Sequence, residues 1–353
     1  MQPGSSRRRS AAVLGAGVVG LSVALRLLEE GFDVTVTSDE DDERIVSHGA
    51  GGFWFPYLVE PMDRASGWAL ETYHELVGMM AEEERGARDD PERASIVRMR
   101  RVFLYDDLRE RPPRPRWAPP DLRDLTRDEL PDIPPAYGVA ARGGWTFEAP
   151  VVEMPRYLAH LRRRAESLGA TFRRRRLVEL ADAEPANADV VVNCAGLGNA
   201  AETKRLARDG ACYPIRGQIV RARAPKVEAV YLAELGAGFS CYAIPRGDLV
   251  VFGGTHEEGE WDETPDEATA SRIVERVAAM LPAGLMEDVE VMGHWSGLRP
   301  GRRGGCRLEL GAETDGRERP VVHCYGHGGA GVTCSWGCAN EVVALVKHAV
   351  CSS

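Results

Sequence analysis

Three glycines carry the first chemical signal in the chain. Gly15, Gly17 and Gly20 follow the short apolar run Ala11–Leu14 and open a helical pattern that lasts to Glu30. Gly31 stands where a helix C-terminus favours glycine. The next run, Asp33–Thr37, is rich in β-branched residues and reads as a second strand. In a strand–turn–helix–strand context each glycine has a task. The first permits a tight turn, the second lets backbone approach a pyrophosphate, and the third lets helix and strand pack closely. Val18 and Val19 then begin the helix, whose N-terminal N–H groups face the phosphates. Asp39 follows the second strand, where a carboxylate can take ribose hydroxyls. The motif implies a bound dinucleotide and leaves FAD and NAD equally open.

Three further segments carry chemistry. Ser47 to Tyr57 runs from small residues, including Gly52, into the four aromatics Phe53, Trp54, Phe55 and Tyr57, suited to a flat cofactor beside an aromatic-walled pocket. Gly297-Leu298-Arg299-Pro300 presents an arginine on what reads as a turn. Its planar fork can hold a carboxylate by two parallel hydrogen bonds. His323 to Thr333, with Gly326, Gly328, Gly329 and Gly331, forms a second glycine turn before the terminal helix. Such N–H groups stabilise negative charge, which favours a flavin over a nicotinamide here. His327 reads as structural rather than as an acid or base.

Between these segments the pattern predicts helices over 62–85, 154–169, 268–281 and 335–350. Strands are expected at 101–105, 144–150, 171–177, 189–194, 218–222, 249–253 and 321–324. Residues 111–120 are rich in Pro and Arg and read as irregular.

Composition narrows the class. The chain has 353 residues, enough for two domains, and its 44% hydrophobic content is that of a globular protein. A net charge of −10 argues against a general nucleic-acid binder. The only lysines are Lys204, Lys226 and Lys347, so a Schiff-base mechanism has little to draw on. Eight cysteines include no CxxC pair, and their spacing suggests buried free thiols in a reducing compartment rather than a metal site. No apolar stretch has the length of a membrane span. The first residues, MQPGSSRRRSAA, read as a short leader without an apolar signal core.

Taken together, the runs VLGAGVVGLS, AGGFWFPY, DVVVNCAGLG, PIRGQIV, YAIPRGDLVVFGGT, GLRP and YGHGGAGVT resemble, in order, the D-amino acid oxidase family of flavoproteins, which includes D-aspartate oxidase. The likeness spans about residues 11–345 and is weakest at about 60–140. It implies an α/β fold: a Rossmann-like doubly wound FAD domain interleaved with a smaller α+β substrate domain on a mainly antiparallel sheet. The implied FAD domain comprises residues 1–57, 150–200 and 293–353, and the substrate domain 58–149 and 201–292.

The resemblance also implies roles. Gly15, Gly17, Val18, Val19 and Gly20 would meet the pyrophosphate of FAD, and Asp39 and Ser47 would contact the cofactor. Gly52 and Phe53 would lie beside the flavin ring, and the Val178 backbone would meet the adenine. Gly328, Gly329, Gly331, Val332 and Thr333 would form the flavin-edge turn. Arg299 and Tyr242 would fix the substrate carboxylate, and the Gly329 carbonyl would accept from the amine. Phe53, Phe55 and Ile244 would line the side-chain pocket. The implied reaction is oxidative deamination of a free D-amino acid, by hydride transfer from Cα to flavin N5 with oxygen as acceptor. No side-chain acid or base and no metal is required. Alternatives are D-aspartate oxidation, oxidation of glycine or N-methyl amino acids, a nicotinamide-linked dehydrogenase, and a flavin-binding protein without turnover. A homodimer is implied as the assembly.

Two departures bear on specificity. The stretch Leu235–Cys241 lacks the second tyrosine often found before Tyr242, and His256 follows Gly-Gly-Thr where D-aspartate oxidases place an arginine. The chain ends Cys-Ser-Ser, unlike a peroxisomal SKL signal, so location reads as intracellular, cytoplasmic or peroxisomal.

Overall fold

The computed structural model describes residues 7–39, 44–57, 59–86, 96–108, 112–236 and 238–351. The start of the expected leader, residues 1–6, and the C-terminal Ser352-Ser353 lie outside them. In chain order the main elements are β1 (Ser10–Leu14), α1 (Val18–Glu29), β2 (Asp33–Ser38), α2 (Val46–Gly49), α3 (Met62–Gly86), β3 (Val97–Asp106) and β4 (Arg123–Asp124). There follow β5 (Gly143–Val152), α4 (Met154–Ser167), β6 (Thr171–Arg174), β7 (Val190–Asn193), β8 (Cys212–Arg223), β9 (Val230–Leu235) and β10 (Phe239–Arg246). The chain closes with β11 (Leu249–Gly253), β12 (Glu257–Glu258), α5 (Glu267–Met280), β13 (Glu290–Arg302), β14 (Arg307–Thr314), β15 (Pro320–Tyr325) and α6 (Gly331–Cys351).

Two sheets organise these elements. The first has six strands in the order β14-β15-β7-β1-β2-β6, parallel except for β14. Both faces of its centre are covered, so the central strands β1 and β7 are buried along their whole length rather than alternating. Ala11 and Val13 of β1 point to one core with α1, α3, α4 and α6. Ala12 and Leu14 point to the other, beneath Leu177, Leu180 and Leu206. Three parallel strands end in glycine turns: Gly15–Gly20 after β1, Gly196–Gly198 after β7 and Gly326–Gly331 after β15. Their carboxyl ends share one rim, the place where open α/β sheets bind ligands.

The second sheet runs β12-β8-β11-β10-β9-β3-β5-β4, with β13 paired along β8. It is antiparallel except at β3–β9. One face packs on α5: Cys241 and Ala243 of β10 and Tyr231, Ala233 and Leu235 of β9 meet Ile273, Val277 and Met280. The alternate residues, Tyr242, Ile244, Leu232 and Glu234, line a cavity that faces the first sheet.

Strand pairing departs from the expected segment boundaries at two places. Residues 293–302 belong by hydrogen bonding to the second sheet, because β13 pairs with β8 from Glu290 to Arg302. Helix α3, expected with the substrate side, joins α1, α4 and α6 in one apolar core and packs on α6 through Gly337, where a Cβ would collide with Trp68 backbone. Thr171–Leu177 pairs with β2 only to Arg174, where the partner strand itself ends at Ser38. Helix α6 starts four residues earlier than its pattern suggests, directly from the glycine turn.

Candidate functional site

A cavity of about 490 Å³ runs from the three glycine turns to the cavity face of β8, β9, β10 and β13. That is a typical ligand-site volume. On the first sheet's side its walls are mostly backbone. Gly15 has φ +103°, and a Cβ there would fall 2.6 Å from the Cys194 carbonyl oxygen. A Cβ on Gly20 would overlap the Gly15 carbonyl oxygen. These two positions hold the turn tight and place Gly17, Val18 and Val19 at the lining. The Ser47 hydroxyl accepts a hydrogen bond from the Val18 N–H (3.2 Å), so α2 is tied to the N-terminus of α1. Asp39 lines the far end and pairs with Arg205 (2.5 Å). Close packing at the turn, backbone of the helix start at the lining and a carboxylate beyond β2 fit the diphosphate and ribose of a dinucleotide.

The segment 51–57 forms the next wall. The Gly52 carbonyl accepts from Val152 N–H (2.7 Å), the Trp54 N–H donates to the Pro150 carbonyl (3.0 Å), and the Trp54 indole donates to the Ala69 carbonyl (2.8 Å). Gly52 has φ +73°, and a Cβ would overlap the Val152 carbonyl. With Trp54 buried on one side, Phe53 and Phe55 turn to the cavity, their rings 5.7 Å apart and nearly parallel. Trp117, from the Pro/Arg-rich excursion, meets Phe55 edge-on at 5.3 Å. The expected site residues Gly328, Gly329, Gly331 and Val332 close the wall at the N-terminus of α6.

The opposite wall presents side chains. Arg299 lies inside β13, opposite Ile215 of β8, and not on a turn as its Gly and Pro neighbours suggest. Twelve registered pairs with β8 outweigh that local signal. Its guanidinium lies over Gly217, where any Cβ would collide with it, and donates to the Thr255 carbonyl (3.1 Å). The Tyr242 ring lies against Gly253 and Gly254, so both groups rest on the segment 253–255. Ile244 reaches the Gly51 backbone.

Two expected positions lie elsewhere. Val178 is 49% exposed and outside the cavity lining. Its N–H donates to Asp182 Oδ2 (3.1 Å) and its carbonyl accepts from Leu206 N–H (2.7 Å), which commits the backbone expected to meet an adenine. Its neighbour Leu177 lines the cavity instead. Thr333 is 1% exposed and also absent from the lining. Its hydroxyl accepts from Phe55 N–H (3.1 Å) and donates to the Phe55 carbonyl (2.9 Å), joining the aromatic segment to α6.

Tyr57, expected only as part of the aromatic run, and Trp295, Gly217 and Glu234, to which sequence reasoning assigned no role, are among the further lining residues. Tyr57 packs against Gly329 in the glycine turn before α6. Burial pushes its hydroxyl up to about 12, and the Glu234 charge adds to this while Arg299 opposes it. Tyr57 closes the aromatic run already singled out, so its position was a usable signal. The others had none. Their alignment follows from strand register alone.

Beneath the second glycine turn lies a buried polar and thiol cluster. His327 Nε2 lies 3.4 Å from Cys306 Sγ, and the donor atoms of Cys324, His327 and Cys338 fall within 4.8 Å of one another. They come from β15, the turn and α6, so sequence spacing could not show this convergence. The eight cysteines are all free, and only Cys351 is exposed. Among the described residues no helix is long and apolar enough to cross a membrane.

Comparison with known proteins agrees with this geometry. Residues 10–345 match the FAD dependent oxidoreductase family. The chain is 40% identical to a D-amino-acid oxidase of Rubrobacter xylanophilus, across 96% of each chain. It is 34% identical to a human D-aspartate oxidase, across 96% of this chain and 95% of that one. The fold is similar to that of a glycine oxidase from Geobacillus kaustophilus, with a TM-score of 0.72 and 20% identity over 97% of this chain and 95% of the other. Backbone turns suited to FAD thus meet a wall of side chains in a chain that belongs to the FAD dependent oxidoreductase family, in its D-amino acid oxidase group.

Proposed function

We propose that this flavoenzyme oxidises free D-amino acids to 2-oxo acids, with ammonia and hydrogen peroxide as the other products. The observation that carries this is the pairing of Arg299 and Tyr242 on one segment, across the cavity from the glycine turn at α6. A fixed guanidinium and a phenol suit a carboxylate. The Gly329 carbonyl would accept from the substrate amine, and Phe53, Phe55 and Ile244 would enclose the side chain. These contacts point the Cα–H toward the flavin-edge wall, so the protein contributes mainly orientation and a dry, polarised surface. FAD, held by Gly15–Gly20, Asp39, Ser47 and the turn 328–332, would supply the two-electron acceptor and pass the electrons to molecular oxygen.

No side-chain base is required where the amine binds neutral. Burial and the positive end of α6 act on the flavin-edge wall instead. The human relative's name makes D-aspartate oxidation the second reading, and the carboxylates of Glu234 and Glu263 in the cavity lining count against it. A peroxide-coupled assay of the flavin-loaded protein on a panel of D-amino acids, with L-forms as controls, tests the proposal. Peroxide from D-forms alone is expected. Activity on none of them would sink it.

A further inference from the structure

We propose that Glu234 makes the side-chain end of the substrate cavity a cation acceptor, selecting basic D-amino acids of the lysine and arginine type over acidic ones. The inference rests on the proposed D-amino acid oxidation and names the substrate class of the same site. Its basis is strand register. In the antiparallel pair β9–β10, Leu232 lies opposite Tyr242 and Glu234 opposite Ser240. Side chains two apart on a strand share a face and stand roughly 7 Å apart. All four line the cavity. Glu234 is therefore one step along the sheet from the phenol that meets the substrate carboxylate, within the reach of a four-carbon ammonium stem.

The surroundings suit a cation. Among the described residues the direct hydrogen-bond partner of Glu234 is the Ser240 hydroxyl, which donates to Oε1 (3.0 Å). Arg299 is turned to the Thr255 carbonyl. Desolvation raises the Glu234 carboxyl above its ordinary range, with the Ser240 bond and His256 opposing it. His256 acts on the same carboxylate, and Trp261 and Glu263 are also among the cavity lining. His256 faces Glu258 (3.3 Å), so the one imidazole here already has an acidic neighbour. Phe53, Phe55 and Ile244 supply an apolar wall for the methylene stem, and Glu234 and Glu263 repel a second carboxylate.

The test uses the flavin-loaded full chain and its E234Q variant, which keeps an oxygen for Ser240. Steady-state kcat/KM is measured for D-lysine, for D-norleucine of similar length, and for D-glutamate. In E234Q the ratio of D-lysine to D-norleucine should fall on the order of tenfold, chiefly through a higher KM for D-lysine, and the D-glutamate ratio should rise. A fall below about fivefold, by the same charge-pair scale, overturns the assignment. Should the wild-type protein oxidise D-norleucine but not D-lysine, the subsite fails while the proposed reaction stands. Failure on every D-amino acid removes both.

Discussion

The two sheets put the same alternation of side chains to different uses. In β1 alternate residues point to two apolar cores, and nothing on the strand is left for chemistry. The cavity is met past the strand ends by backbone, at glycines 15, 17 and 20 and in the turn before α6. In β9 and β10 one set of residues packs on α5 and the other faces the cavity, so under the proposed function side chains would do the recognising. A backbone site tolerates almost no added atom. A side-chain site can be retuned one residue at a time.

Substitutions at each site should therefore fail differently. Gly20→Ala places a Cβ on the Gly15 carbonyl, with no flexible group to yield. It is expected to cost upward of about 3 kcal/mol and to abolish retention of flavin. The ratio of flavin to protein absorbance after purification, with thermal unfolding, checks this, and a yellow, stable variant would erase the contrast. Tyr242→Phe keeps the ring against Gly253 and Gly254 but removes its hydroxyl. A loss of about tenfold in kcat/KM with full flavin content is expected. The smallest effect concerns Ser47, whose hydroxyl satisfies the Val18 N–H. Ser47→Ala should lower stability by about 1 kcal/mol, read from denaturant midpoints.

The same contrast explains what could be read in advance. Backbone sites announce themselves through glycine spacing, because few other residues permit those approaches, and the turns at 15–20 and 326–331 were legible from composition and context. Arg299 was legible as a candidate cavity residue, but its place inside a strand rather than on a turn was not. Flanking Gly and Pro gave the local signal, and pairing with β8 decided the outcome. Val178 and Leu177 show the limit along the chain. One residue of offset reverses which backbone faces the cavity, and no periodicity marks it where the strand has ended at Arg174. Thr333 appeared as part of a flavin-edge run, whereas the helix starting at Gly331 turns its hydroxyl back to Phe55. Glu234, Gly217 and Trp295 became visible only when the register of β8, β9, β10 and β13 brought them together.

Arg299→Leu tests most directly the claim that a side-chain wall anchors the substrate while a backbone wall holds the flavin. The variant should retain flavin at the wild-type ratio yet lose on the order of 10³-fold in kcat/KM for its best D-amino acid. A small change in kcat/KM, or loss of flavin along with activity, would contradict the division of labour between the two walls.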